Sequence, residues 1–152
     1  MGVIFDGCIW LGLAAGVMSR QAVIAAAGEA PVFTSAISLG ELRFGVEVCS
    51  DPTERAIRAA WLRQVEGRPV LGVTKDTAAA FGVLAAAVRQ AGLSPRPRYN
   101  DVWIAAQAIE HGYALLTIKP DDFSGLPGLR LLTLGGGRRS AAIASGNQAR
   151  RS

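Results

Sequence analysis

"RYNDVWIAAQAIEHGYALLTI", residues 98–118, sets the architecture of this chain. From Val102 to Ile109 the stretch is apolar on every side, broken only at Gln107, as in a helix buried all round. Gly112 stops that helix after His111. Tyr113 to Ile118 then runs as a segment apolar except at Thr117, without the alternation of a half-exposed strand. That is the pattern of a parallel strand covered on both faces. One residue is out of place. Asp101 puts a carboxylate at the mouth of a segment bound for the core.

The same alternation extends in both directions. Val3-Ile4-Phe5 is a first buried strand ending at Asp6, and Cys8 to Ala27 reads as one or two short apolar helices. Val32 to Ile37 is a second strand. Ser38 then opens a helix with Leu39, Leu42, Val46 and Cys49 at helical spacing. Asp51 and Pro52 are an N-cap and a first helical residue, and predict a helix to Glu66. "RPVLGVT" (68–74) is a third strand, and Thr74 or Asp76 caps a helix through Ala91 that stops at Gly92. A proline-rich loop (93–100) leads into the opening stretch, whose strand is the fourth. "PDDF" (120–123) is a turn, and "LRLLTL" (129–134) a fifth strand. Continuous apolar strands alternating with helices predict an α/β fold, a single-domain three-layer α/β/α sandwich around a central parallel sheet. Residues 1–134 form that domain. Residues 135–152, "GGGRRSAAIASGNQARRS", read as a basic Gly-rich disordered tail.

At 152 residues and half hydrophobic, the chain suits one domain with a real core. The net charge of +4 permits a polyanionic partner. Much of the excess is local, in Arg138, Arg139, Arg150 and Arg151. Cys8 and Cys49 lack any paired spacing, which speaks against a zinc site or a disulfide framework and for buried thiols in a reducing compartment. The apolar run Cys8–Met18 is too short to span a membrane, and Asp6 sits where a secretory signal carries positive charge. A cytoplasmic protein is expected.

In an open parallel sheet, ligands bind beyond the carboxyl ends of the strands. Asp6 follows the first strand, Glu41 lies in the first turn of the helix after the second, and Asp101 opens the helix that precedes the fourth. Asp121 and Asp122 follow the fourth strand. Carboxylates gathered at one edge repel one another unless a cation joins them, and oxygen donors of this kind suit Mg²⁺ or Mn²⁺. Each acid also has a plain structural reading. Ser38-x-x-Glu41 is a capping box, Asn100 caps a helix that Asp101 then favours electrostatically, and aspartate is ordinary in a Pro-Asp-Asp turn. Convergence, rather than any one residue, points to a site.

In order and spacing, Asp6 at a strand end, "SLGELRFG", "YNDVWIAAQAIEHG" and "LLTIKPDDF…LPGLRL" resemble the PIN-domain ribonucleases, and most of all the VapC-type toxins of toxin–antitoxin pairs. The resemblance spans roughly residues 2–134. It implies a sandwich with an acidic pocket for Mg²⁺ or Mn²⁺, metal-dependent endonucleolytic cleavage of RNA, a cognate antitoxin protein and a homodimer. Carried over by motif, Asp6, Glu41 and Asp101 match the three main acidic positions and Asp122 the less regular fourth. Asp6 and Asp101 are the expected metal ligands. Two positions depart from the family. Gly7 stands where Thr or Ser is usual, and Lys119 where Asn or Asp often follows Thr117.

Arg43, one helical step from Glu41, reads as groove-facing or as solvated surface. Arg96 and Arg98 precede Asp101 and, with Lys119, are candidates to meet RNA phosphates. His111 ends its helix as a C-terminal charge complement rather than a base. Two further readings remain open. One is a PIN fold that binds RNA or antitoxin without cutting. The other is a phospho-receiver module, which also carries an acid after its first strand and a Lys-Pro like Lys119-Pro120.

Overall fold

Side-chain alternation in three short strands separates the two faces of the sheet. Strands β1 (Val3–Phe5), β2 (Val32–Ser35) and β4 (Ala114–Leu116) run parallel, with Ile4 opposite both Phe33 and Leu115. Ile4, Leu115 and Leu131 turn to one face. There they pack on Leu84 and Val88 of α5 (Lys75–Gln90) and on Val102, Ile104, Ala105 and Ala108 of α6 (Tyr99–His111). Val3, Phe5 and Leu116 turn to the other face. They meet Ile9 and Trp10 of α1 (Gly7–Ala15), Val23 of α2 (Arg20–Ala27) and Val65 of α4 (Pro52–Glu66). Ile4 is 0% exposed at the centre, where truncation to alanine costs about 2–5 kcal/mol. The α/β/α sandwich is thus as expected.

The computed structural model describes residues 1–134 and the backbone of 136–140. The sheet order is β3-β2-β1-β4-β5-β6, with β3 at Val70–Leu71, β5 at Arg130–Thr133 and β6 at Gly136–Ser140. Strands β1 to β5 are parallel, and β6 pairs antiparallel with β5. The sheet therefore continues past residue 134, where a tail was expected to begin. Residues 141–152, the rest of that expected tail, lie outside the described residues. Among the described residues no helix is long and apolar enough to cross a membrane.

Three local differences from the sequence reading bear on the site. The second strand ends at Ser35, because the Ser35 hydroxyl accepts from Ile37 N–H at 3.0 Å and starts α3 (Ala36–Glu47) early. Ser38 is then a buried residue inside the helix, and Glu41 lies in its second turn, so no Ser38–Glu41 capping box forms. The third strand shrinks to two residues. Helix α6 begins at Tyr99, continuing directly from a 3₁₀ turn at Arg96–Arg98, so Asn100 is helical and is not the cap. Gln107, the polar break in the opening stretch, is 0% exposed. Its Nε2 donates to Leu71 O and Gly72 O, each at 2.9 Å, and ties α6 to the end of β3.

Candidate active site

Because Phe5 and Leu116 are partners in parallel register, the next residues, Asp6 and Thr117, leave the sheet side by side. Asp6 N–H donates to Leu116 O at 3.0 Å. The Asp6 side chain caps α1, where Oδ1 accepts from Gly7 N–H at 2.8 Å. Two further donors meet at Oδ2, the Thr117 hydroxyl at 2.9 Å and the Cys8 thiol at 3.2 Å. Thr117 is fully buried, and its oxygen in turn accepts from Lys119 N–H at 3.0 Å. Burial, with the charge of Asp6 adding to it, pushes the Cys8 thiol up against an opposing hydrogen bond at the Ile118 backbone. Cys8 is therefore a protonated donor at neutral pH rather than a thiolate.

The remaining acids arrive from three other segments. Asp101 occupies the first turn of α6. Its carboxyl is raised to about 6 by burial first, then by the charges of Asp6, Asp122 and Glu41, with Arg98 opposing. Glu41 is raised by burial and then by Asp6, while the Asn100 side chain and Lys119 draw it down. Asp122 rides on a 3₁₀ turn, Pro120–Phe123, anchored by Phe123, whose ring is 1% exposed in the core. These mutual effects are those of like charges held in one partly desolvated space.

That space is a cleft of about 890 Å³. Asp6, Glu41, Asn100, Asp101, Lys119 and Asp122 line it together with Phe44, Arg58, Trp61 and Leu62, and the acids, which feel one another's charge, make up its acidic end. All four expected acids thus share one cavity, and Lys119 stands among them. The other basic candidates fare differently. Arg43 is turned away from the cleft, bonded to Glu66 at 3.2 Å with Glu47 at 3.9 Å, so its groove-facing reading is corrected to a solvated ion pair. Arg98 reaches the site through its charge on Asp101, while Arg96 is exposed and is not part of the cleft wall. Asp121 is likewise exposed and off the wall. His111 lies at the far end of α6 from Asp101, 3.6 Å from Glu110 and stacked on Tyr113.

Thr117 and Cys8 as partners of Asp6, and Asn100 as a neighbour of Glu41, emerge only in the structure. Strand pairing carried the signal for Thr117, since a hydroxyl ending the strand beside β1 must emerge next to Asp6. Arg58 and Trp61 left no signal of their own, because α4 reads as an ordinary amphipathic helix.

The donor set is hard oxygen. Among the described residues no three His, Cys, Asp or Glu side chains already close into a ready-made metal cage. Carboxylates sharing one cleft nevertheless suit Mg²⁺ or Mn²⁺, which keep several waters and take one or two carboxylates directly. Asp6 and Asp101 fit that role, and the raised Asp101 carboxyl is the local sign of charge awaiting compensation.

Comparison with known proteins decides the family. The model of the PIN domain matches residues 3–128. The chain belongs to the PIN-domain family. Ribonuclease VapC4 of Mycobacterium tuberculosis is 35% identical over 100 residues, 66% of this chain and 75% of that protein. Ribonuclease VapC5 of the same organism is 36% identical over 97 residues, 64% of this chain and 70% of that protein. This PIN domain also superposes on a crystal structure of VapBC-5, a member of the VapBC family of toxin–antitoxin systems from M. tuberculosis, with a TM-score of 0.72 and 27% identity. That match covers 88% of this chain and all of the other. VapBC2 of Rickettsia felis, bound to a DNA fragment from its promoter, shares the fold at 20% identity, with a TM-score of 0.72 over 88% of this chain and 98% of that one. The strand order excludes the receiver reading, since receivers are wound 2-1-3-4-5 and this PIN domain runs 3-2-1-4-5.

Proposed function

We propose that this PIN domain is an endoribonuclease, the toxin of a toxin–antitoxin pair, and that it hydrolyses RNA phosphodiesters with Mg²⁺ or Mn²⁺ at the acidic end of the cleft. The observation that carries the reading is the meeting of Asp6, Glu41, Asp101 and Asp122, from four separate segments, in one cavity. The relatives named as ribonucleases supply the reaction class.

Asp6 and Asp101 would hold the ion. A divalent ion bound there would supply Lewis acidity toward water and phosphate. Glu41, in the cleft wall with its carboxyl raised, takes the proton of the attacking water on a carboxylate oxygen. Asp122 orients that water. Lys119 and Arg98 offset the charge of the scissile phosphate and its neighbour, and Arg96 extends that basic approach along the strand. A small cognate antitoxin, a homodimeric assembly and a cytoplasmic location complete the reading. They rest on the likeness to the VapBC systems.

The test is an RNA-cleavage assay in Mn²⁺. Wild-type protein cleaves, and Asp101→Asn abolishes cleavage while its melting curve stays cooperative. Cleavage by Asp101→Asn at the wild-type rate overturns the assignment. Lys119 within the acidic end favours one second reading, a PIN fold that binds RNA without cutting, and RNA binding by a chain inert in Mn²⁺ is its signature.

A further inference from the structure

The Asp6 carboxylate is held more tightly than a metal ligand at a strand end needs to be for capping alone. A carboxylate offers about four lone-pair positions. Gly7 N–H takes one on Oδ1, and the Thr117 hydroxyl and Cys8 thiol take two on Oδ2. Proton bookkeeping is consistent. The Thr117 proton is spent on Asp6, and the same oxygen is free to accept from Lys119 N–H. Cys8 has one proton and points it at Oδ2, so its 3.6 Å approach to Thr117 is a contact beside two parallel donations. Three of four positions are then filled, and the carboxylate cannot turn without breaking a bond.

Position 7 supplies no side chain. A Cβ built there meets nothing closer than Ser38 at 3.9 Å, and the buried Ser38 hydroxyl has no hydrogen-bond partner. Among the described residues, Cys8 and Thr117 are the side chains that donate to Asp6. Thr117 follows directly on β4 of the sheet. Cys8, the second residue of α1, belongs to the helix that Asp6 caps. One donor from each side clamps the same oxygen.

We propose that Cys8 is a positioning residue for Asp6, its thiol acting with the Thr117 hydroxyl to leave a single lone pair aimed into the cleft as a monodentate ligand for the divalent ion. The inference rests on the reading of Asp6 as a metal ligand. Outer partners of ligating groups are worth about 10–100-fold in metal affinity when removed. A thiol is a weak donor, which places Cys8 at the lower end of that range.

The experiment measures Mn²⁺ affinity of the full chain by electron paramagnetic resonance for wild type, Cys8→Ser, Cys8→Ala and Cys8→Val. Valine keeps the volume without the donor, so a packing defect in the alanine variant does not decide the result. The expected result is about tenfold weaker binding for Cys8→Ala and Cys8→Val and near-wild-type binding for Cys8→Ser, with melting temperatures preserved. RNA cleavage by Cys8→Val is then restored by excess Mn²⁺, which a purely structural lesion would not allow. Wild-type affinity in both the alanine and valine variants overturns the proposal, as does a serine variant as weak as valine. A wild-type chain that binds no Mn²⁺ overturns the metal site and the Cys8 role together. Mn²⁺ binding with Cys8 dependence but without RNA cleavage overturns the nuclease reading and leaves this one standing.

Discussion

Thr117 gives its hydroxyl proton to Asp6 Oδ2 across 2.9 Å, joining the ends of two neighbouring strands from residues 111 apart in sequence. Thr117 itself is buried, and the same oxygen accepts from Lys119 N–H, so Thr117 couples the first acid to the segment that carries Lys119 and Asp122. Thr117→Val keeps the shape and removes both interactions. The expected cost is about 1–2 kcal/mol in urea unfolding. Mn²⁺ affinity falls about tenfold, because Asp6 loses its stronger side-chain donor. Unchanged values in both measurements would sink this account of Asp6.

The Asp101 carboxyl stands at about 6 in the folded chain against an ordinary 3.8, chiefly through burial and then the charge of Asp6. Raised in the folded state, it binds its proton more tightly there than in the unfolded chain. Its stabilising contribution is therefore complete below the unfolded value and is lost as pH rises through about 6. In metal-free protein, Asp101→Asn removes that loss. The variant should be the more stable one at neutral pH, by about 1 kcal/mol once solvent screening is allowed for, with the gap closing on acidification. Urea midpoints of both proteins across the acid-to-neutral range check the sign. A gap that widens on acidification contradicts it. A site acid that destabilises the empty fold is the usual cost of function.

Much of this was readable beforehand because burial on both faces leaves a simple trace. Val3–Phe5 and Ala114–Leu116 are apolar without interruption, and Gly112 and Gly92 close their helices as glycine should. Asp6, Glu41, Asp101 and Asp122 could be placed at one edge from topology alone. What escaped was set by competition between neighbours. Ser35 outcompetes Ser38 as the cap of α3, since both can accept from the helix start and Ser35 comes first. The 3₁₀ turn at Arg96–Arg98 starts the winding of α6 early and frees Asn100 from capping. The role of Gln107 depends on carbonyls 35 and 36 residues away, which no local pattern reveals.

Gln107→Ala tests that last contact. It strips two strand-end carbonyls, at half-buried Leu71 and exposed Gly72, of their shared donor and opens a space between α6 and β3. Each lost bond of this kind costs about 1–3 kcal/mol when a partner is left unsatisfied. A total of about 3 kcal/mol in chemical denaturation is expected. A loss below about 1 kcal/mol would mean that water replaces the amide at Leu71 and Gly72.

Gly7→Ser should stabilise. The backbone at Gly7 is helical, the new Cβ comes no nearer than 3.9 Å to Ser38, and the added hydroxyl brings a partner within reach of the orphaned Ser38 Oγ. Relief of glycine entropy and one new hydrogen bond together contribute about 1 kcal/mol. A lower melting temperature would show that the pocket beneath position 7 cannot take the side chain.

Lys119 separates the two demands on the cleft. Lys119 lines the same cleft as the four acids and its charge lowers the Glu41 carboxyl, so it favours ionised acid and attracts phosphate while it repels a divalent cation. Lys119→Gln should therefore move two affinities in opposite directions. Mn²⁺ binds more tightly, because one positive charge has left the cleft. RNA binds more weakly, and the slope of log affinity against log salt becomes shallower by about 0.7, the share of one contact to a single strand. Fluorescence anisotropy with a labelled RNA in Ca²⁺, repeated across salt, reads the second change, and Mn²⁺ titration reads the first. An unchanged salt slope with tighter Mn²⁺ binding would leave Lys119 beside the ion with no part in holding RNA. A shallower slope with unchanged Mn²⁺ affinity would turn its side chain outward, toward phosphate and away from Asp6 and Asp101.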